Sequence, residues 1–338
     1  MTSSLPLIQL TGLRVEYPGR GGDPVRAVRD VDLEIRDGET LGLVGESGCG
    51  KSTLGRAILR VTEPTAGSIR LLGKEITGLR GTVFRQTRAD LQMVFQDPFS
   101  SLNPRRRIAD IVAEPLRRGR GVSRAEAARA VDDLLDLVGL GRDAGRRRPH
   151  EFSGGQRQRI GIARALAPSP RFIVADEPVS ALDVSIQAQV VNLLADLTRE
   201  RGLTMLFISH DLGVVRHIAD RIAVMYLGEI IEIADRDAFF AGPAHPYSEA
   251  LLSAVPTLDR GPGRERIVLA GELPDPAHPP AGCLFHTRCR YVVDRCRTEP
   301  PALRQLAPDR TVRCHLPLVP ENVPAPSTVT TTSGGAPR

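Results

Sequence analysis

Residues Gly45-Glu46-Ser47-Gly48-Cys49-Gly50-Lys51-Ser52, preceded by the short apolar run Leu41 to Val44, form a glycine-rich loop that leaves this chain few folds to choose from. Glycines at this spacing let the backbone turn its N–H groups inward around phosphate oxygens, and a helical pattern starting at Lys51 sets a helix N-terminus and its dipole beneath them. Such a strand, loop and helix predicts that Lys51 reaches the β- and γ-phosphates of a nucleotide and that the Ser52 hydroxyl ligates Mg2+. Cys49 occupies a free position of the pattern and reads as a small filler. Lysine usage singles out the same loop, because the only lysines are Lys51 and Lys74 and arginine carries the rest of the positive charge.

The remaining pattern predicts an α/β protein. Apolar, β-branched runs at Phe172 to Ala175 and Thr204 to Ile208 are separated by helical stretches, and residues 7 to 17 alternate as a strand does. Strands alternating with helices imply a mostly parallel sheet flanked by helices. Residues 104 to 148 are arginine-rich, with apolar spacing of three and four from Ala125 to Val138, and predict a helical insertion. After Gly242 proline becomes frequent, and residues 318–338, rich in Pro, Thr, Ser and Gly, read as a disordered tail. With 338 residues, 41% of them apolar, the chain can build a large domain and a small appendage. No apolar run approaches the roughly 18 to 20 residues that cross a bilayer, and the first residues lack the basic-then-apolar order of a secretory signal, so the chain is expected in the cytoplasm. Arginine clusters at Arg105 to Arg107, Arg117 to Arg120 and Arg146 to Arg148 suit an anionic membrane surface or nucleic acid, or simply solvated faces. Aromatics are not interleaved with them as base stacking requires.

Phe172 to Ala175 ends in Asp176-Glu177-Pro178, two acids at the carboxyl edge of the sheet, where ligands of α/β folds bind. Beside a phosphate loop, Asp176 is expected to hold Mg2+ through water and Glu177 to polarise the attacking water; alone, the pair would read as a surface turn. Gln96 follows a predicted strand from Leu91 to Phe95 and His210 follows Thr204 to Ile208, so both stand where a nucleotide sensor would. Phe152-Ser153-Gly154-Gly155-Gln156 opens a predicted helix, whose serine and amides form a second anion cradle. If that cradle belongs to the helical insertion, it cannot serve the phosphate held by Lys51, and a second copy or a related chain must supply it across an interface.

Together these segments resemble an ATP-binding cassette (ABC) ATPase over about residues 7 to 240. The match is to a Walker A loop (Gly45 to Ser52, with Thr53 next to it), a Q-loop (Gln96), a signature motif (Ser153 to Gln156, with Phe152 in place of the commoner leucine), Walker B (Asp176) with Glu177, a D-loop (Ser180-Ala181-Leu182-Asp183) and a switch histidine (His210). Tyr17 resembles the aromatic residue that stacks on adenine. The resemblance implies a P-loop NTPase cassette in residues 1–240: a mostly parallel core sheet, an N-terminal antiparallel β-subdomain and a helical subdomain inserted at about 97–165. It implies Glu177, His210 and Gln96 as catalytic, Ser52, Gln96 and Asp176 around Mg2+, Ser153 to Gln156 and Asp183 among the nucleotide-binding residues, and ATP sandwiched between two cassettes with Lys51 and Glu177 of one facing Ser153 of the other.

Gln96 to Arg105, Asp183 to Gln189, His245 to Leu252, Gly271-Glu272-Leu273-Pro274 and Gly282 to Cys289 resemble the dipeptide and oligopeptide importer ATPases, of which nickel importers are close relatives. The chain is most similar to the second of their two unequal ATPases, with residues 241–317 as the appended C-terminal domain. The resemblance implies ATP hydrolysis that powers peptide uptake at the cytoplasmic face of the membrane. Its partners would be two integral membrane permease subunits, a second ABC ATPase and an extracytoplasmic substrate-binding protein, with no nucleic acid. Import of nickel or another small solute is one alternative; a soluble ABC ATPase acting on ribosomes or DNA is the other, although such proteins carry paired cassettes or a long coiled coil. Four cysteines, Cys283, Cys289, Cys296 and Cys314, crowd the C-terminal region with five, six and seventeen residues between them. In the resembling subfamily such cysteines are associated with a [4Fe-4S] cluster; Zn2+, with His286 and His315 as alternative ligands, and four unliganded thiols are the competing readings.

Overall fold

A computed structural model describes residues 5–19, 22–97, 101–255 and 266–319. Pro98 to Ser100 of the Gln96 segment and the tail from residue 320 lie outside the described residues.

Two sheets carry the architecture. Strands β1 (Ile8–Tyr17), β2 (Val25–Ile35), β4 (Ala66–Leu71) and β5 (Lys74–Glu75) form an antiparallel sheet in the order β2-β1-β4-β5. The core sheet has eight strands in the order β11-β12-β10-β9-β3-β8-β7-β6. It comprises β3 (Thr40–Val44), β6 (Leu91–Val94), β7 (Phe172–Asp176), β8 (Thr204–Ile208), β9 (Arg221–Tyr226), β10 (Glu229–Asp235), β11 (Arg304–Ala307) and β12 (Arg310–Val312). Strands β6, β7, β8, β3 and β9 run parallel, whereas β10, β12 and β11 continue the sheet antiparallel.

The patterns explain the placement. Every residue of β3, β7 and β8 is buried, as expected of parallel strands covered on both faces. In β1 the buried residues Ile8, Leu10, Leu13 and Val15 break strict alternation at Gly12, where φ is +54° and the register with β2 and β4 shifts. A bulge there restores the inward face after the extra residue.

Helices α1 (Lys51–Ile58) and α2 (Gly81–Asp90) precede β6, and the insertion that follows holds α3 (Ile108–Pro115), α4 (Arg124–Leu137) and α5 (Gly154–Leu166). α1 is packed between the sheets through Leu54, Ala57 and Ile58. In α4 the buried stripe is Ala127, Val131 and Leu135, one per turn, and a Ser123/Glu126 capping box starts the helix. Several arginines of the insertion are spent on protein partners. Arg106 and Arg118 both pair with Glu114, and Arg120 donates to Asp90 at 2.6 Å and to the Pro168 carbonyl at 2.8 Å.

Helices α6 (Val184–Arg201), α7 (Leu212–Ile218), α8 (Arg236–Ala241), α9 (Pro246–Ser253) and α10 (Asp294–Thr298) complete the chain. Its C-terminal segment adds β12 to β10 in the pair Glu232↔Val312 and inserts Phe285 into the main core. A small cluster of Ala244, Leu306 and Val312 seals that edge, and the Leu318 amide donates to the Ala244 carbonyl at 2.9 Å, so residues 318 and 319 pack against the body rather than opening the tail. No helix among the described residues is long and apolar enough to cross a membrane.

Candidate active site

The loop between β3 and α1 is built by local sterics. Gly45, Gly48 and Gly50 have φ of 153°, 82° and 107°. A Cβ would stand 2.3 Å from the Met225 carbonyl oxygen at Gly45 and 2.1 Å from that of Ala27 at Gly50, so neither position admits another residue. Gly50 caps α1 without a side chain, leaving the first helical amides open to an acceptor. Lys51 is buried, and its Nζ donates to the carbonyls of Gly45 at 2.7 Å and Glu46 at 2.8 Å. Cys49 is buried too, with Sγ 3.8 Å from Lys51 Nζ, and burial pushes its thiol up, as befits a filler.

At the carboxyl edge of the sheet the expected residues converge. Ser52 Oγ donates to Asp176 Oδ1 at 2.6 Å, and Arg56 Nη2 lies 3.7 Å from Asp176 Oδ2. Burial pushes the Asp176 carboxyl up, opposed by the Ser52 hydrogen bond and by Arg56. Glu177, the next residue, has φ of +45°, a conformation that non-glycine residues rarely adopt. It is held there by donation from its amide to the Ile208 carbonyl at 3.0 Å and by its own carbonyl, which accepts from Ser180 Oγ at 3.1 Å. The twist presents the side chain to two partners: Oε2 accepts from Gln96 Nε2 at 3.0 Å and lies 3.6 Å from His210 Nδ1.

Ser153 stands elsewhere, at the N-cap of α5 in a reciprocal capping box with Gln156. Its helix packs mainly on α3, α4, α6 and β6. Gly155 lies under Ile186, 2.4 Å from where its Cβ would be, which fixes the signature helix against the start of α6. Gln158 of the same helix donates to the Phe95 carbonyl at 3.3 Å, joining the insertion to the residue before Gln96. Asp183 is the exposed N-cap of α6, and Tyr17 ends β1 with its side chain 39% exposed.

Sequence reasoning missed three residues of this neighbourhood. Arg56 is one turn along α1 from Ser52, where helical spacing could have revealed it. Tyr247 and Arg288 both contact Glu46, more than 200 positions away, and no local pattern signals that.

The cysteines are all free. Cys283, Cys289, Cys296 and Cys314 lie within electrostatic reach of one another, and burial pushes the Cys283 thiol up to about 11 and that of Cys314 up to about 12. Among the described residues no group of three or more His, Cys, Asp or Glu side chains is placed to hold a metal ion, which supports neither the iron-sulfur nor the zinc reading. His286 and His315 each engage a backbone carbonyl through one ring nitrogen, of Cys283 at 2.8 Å and of Glu299 at 2.9 Å.

Comparison with known proteins matches residues 28–180 to a family described as "ABC transporter" and residues 231–296 to "Oligopeptide/dipeptide transporter, C-terminal region". The chain is 52% identical over 316 residues to the putative oligopeptide transport ATP-binding protein YkfD of Bacillus subtilis (strain 168), covering 92% of this chain and 96% of that protein. It is 51% identical over 296 residues to the di/tripeptide transport ATP-binding protein DppF of Pseudomonas aeruginosa (strain UCBPP-PA14), covering 88% and 91%. Among solved structures it is similar to the dimeric, post-hydrolysis ATP-binding cassette MJ0796 bound to ADP and Pi, with 31% identity, a TM-score of 0.62 and coverage of 68% of this chain and 98% of that one.

Proposed function

This chain belongs to the ABC transporter ATPases, and we propose that it is the ATP-hydrolysing subunit of an importer of dipeptides or oligopeptides. The observation that carries the hydrolytic reading is the convergence of Gln96 and His210 on one oxygen of Glu177, beside the Ser52–Asp176 pair. The peptide reading rests on the relatives and on the C-terminal region match.

In this reading the amides at the start of α1 and Lys51 bind the phosphates. Lys51 trades its carbonyl partners in the loop for phosphate oxygens, and Thr53 adds an amide. A hydroxyl and a buried, partly compensated carboxylate are the hard oxygen donors that Mg2+ takes, so Ser52 and Asp176 fit the ion, with Gln96 as a third donor; bound there, it would neutralise phosphate charge. Glu177 acts as general base toward water, and the Gln96 and His210 contacts orient its carboxylate. Tyr17 stacks on adenine from the exposed end of β1. Ser153 to Gln156 and Asp183 complete the site of a second cassette, identical or related, because Ser153 caps a helix of the insertion rather than joining the Lys51 loop.

We read residues 1–240 as the cassette, with its helical insertion at about 97–165, and 241–317 as the C-terminal domain. A permease pair, a second ATPase and an extracytoplasmic binding protein are the partners, at the cytoplasmic face. The four C-terminal cysteines hold a [4Fe-4S] cluster of structural role, a reading supported by the resemblance and by four free thiols within electrostatic reach of one another. The deciding experiment is reconstitution. ATPase activity copurifying with a membrane permease pair and stimulated by peptide with its binding protein is expected; copurification with ribosomes or DNA, or stimulation by nickel alone, would overturn the assignment.

A further inference from the structure

Glu46 brings a carboxylate into the loop that takes phosphates, and each of its polar groups is tied down. Its amide donates to the Tyr247 hydroxyl at 2.8 Å, its carbonyl accepts from Lys51 Nζ at 2.8 Å, and its carboxylate accepts from both terminal nitrogens of Arg288 at 2.6 and 3.0 Å. Two of these three partners come from the C-terminal segment. Tyr247 is buried in an edge-on aromatic cluster with Tyr226 and Phe285, at centroid distances of 4.8 and 5.5 Å. Arg288 closes the short 3-10 turn His286–Arg288, its side chain is 6% exposed, and its Nε donates to the Ala270 carbonyl at 3.3 Å. Leu273 adds a third contact, with Cδ2 4.0 Å from where a Cβ on Gly48 would stand.

A carboxylate beside a triphosphate repels it unless a cation stands close. A forked guanidinium supplies that charge and also fixes the carboxylate in a plane, which a lysine does not. With the guanidinium buried, solvent screens this pair less than an exposed one. We propose that Arg288 is a positioning residue for ATP: acting through Glu46, it neutralises the loop's carboxylate and pins it away from the phosphates, so the C-terminal segment sets the affinity of the phosphate loop. The inference rests on the reading above that Gly45 to Ser52 takes the triphosphate.

The test is the Kd of Mg·ATP for the full chain by calorimetry, with each variant checked for a folded melt. Arg288→Ala is expected to raise Kd about tenfold or more, the usual scale for losing charge-assisted bonds, and Arg288→Lys, with one bond left, to fall between it and the parent. Adding Glu46→Gln to Arg288→Ala removes the stranded carboxylate and should recover at least about threefold of the loss, which a merely structural arginine would not permit. In the assembled transporter the defect falls on KM, with kcat at saturating ATP unchanged. If Arg288→Ala does not fold, Arg288→Lys carries the test with a Kd about threefold above the parent. Parent-like Kd in the folded arginine variants, with Lys51→Ala weakened, overturns the inference alone; Lys51→Ala binding ATP like the parent overturns the reading of the loop and takes the inference with it.

Discussion

Gln96 Nε2 donates to Glu177 Oε2 at 3.0 Å, so a residue at the mouth of the helical insertion is bonded to the carboxylate at the end of β7. Gln158 of the insertion in turn holds the Phe95 carbonyl, so a displacement of the insertion would be felt at the Glu177 carboxylate through these bonds.

Glu177→Gln tests the base. The amide keeps the size of the side chain and loses its capacity to take a proton, so turnover is expected to drop by about 10² to 10⁴ while ATP binding persists. ATPase rates of the assembled transporter and nucleotide retention on the isolated chain check it, and the variant is expected to be recovered as an ATP-bound dimer. A parent-like rate in the assembled transporter removes Glu177 from the role.

Ser153→Arg tests the composite site. Ser153 sits exposed at the α5 N-cap, so an arginine there leaves ATP binding by its own Lys51 largely intact but blocks the phosphate of the facing cassette. Mixed dimers carrying the substitution in one protomer are expected to lose hydrolysis at the partner's Lys51 site. Loss confined to the mutated protomer's own site contradicts the sandwich.

His245 gives the fold a pH dependence of known sign. It is fully buried, its Nδ1 accepts the Tyr247 amide at 3.0 Å, and burial pushes its pKa down to about 3 from 6.5. The unfolded chain thus takes up a proton below 6.5 that the folded chain refuses, so this contribution is complete above 6.5 and is lost as pH falls toward 3. At pH 5.5 the loss is about 1.4 kcal/mol. His245→Asn keeps a capping acceptor and removes the titration. Urea melts at pH 7.5 and 5.5 should show the difference in the parent and not in the variant; equal shifts in both refute it.

Much of this was legible from the sequence because the signals are local. The buried runs of β3, β7 and β8, the glycines of the loop and the acids at the end of β7 each declare themselves within a few residues. Strands β11 and β12 do not: Arg304–Ala307 and Arg310–Val312 are short and polar, and they become strands only because β10 offers its edge. The Arg288–Glu46 pair was equally hidden, since it joins residues 242 positions apart and either partner alone reads as a solvated charge. Long-range pairing is a property of the assembled fold, and the residues that make it carry no periodicity of their own.

The C-terminal cysteines sit in a segment with little core of its own. The segment bearing them buries few apolar residues, chiefly Phe285, Leu306 and Val312, and leans on the cassette for its packing. The carbonyl of Cys296 accepts the Cys283 amide at 2.9 Å, and Gly282, with φ of +66°, lets those two strands of chain approach where a Cβ would meet that carbonyl at 2.5 Å. Thiols pushed up to about 11 and about 12 are neutral at pH 7, so iron must displace protons as it binds, and its removal should restore them. Chain purified without oxygen is expected to be brown, to hold about four irons and to absorb broadly in the visible. Chelation or Cys289→Ser should bleach it and lower its Tm, because the ligated cluster replaces a core this segment lacks. Colourless anaerobic protein with neither iron nor zinc by elemental analysis leaves the four thiols unliganded and refutes the assignment; zinc in a ratio of one per chain would replace it.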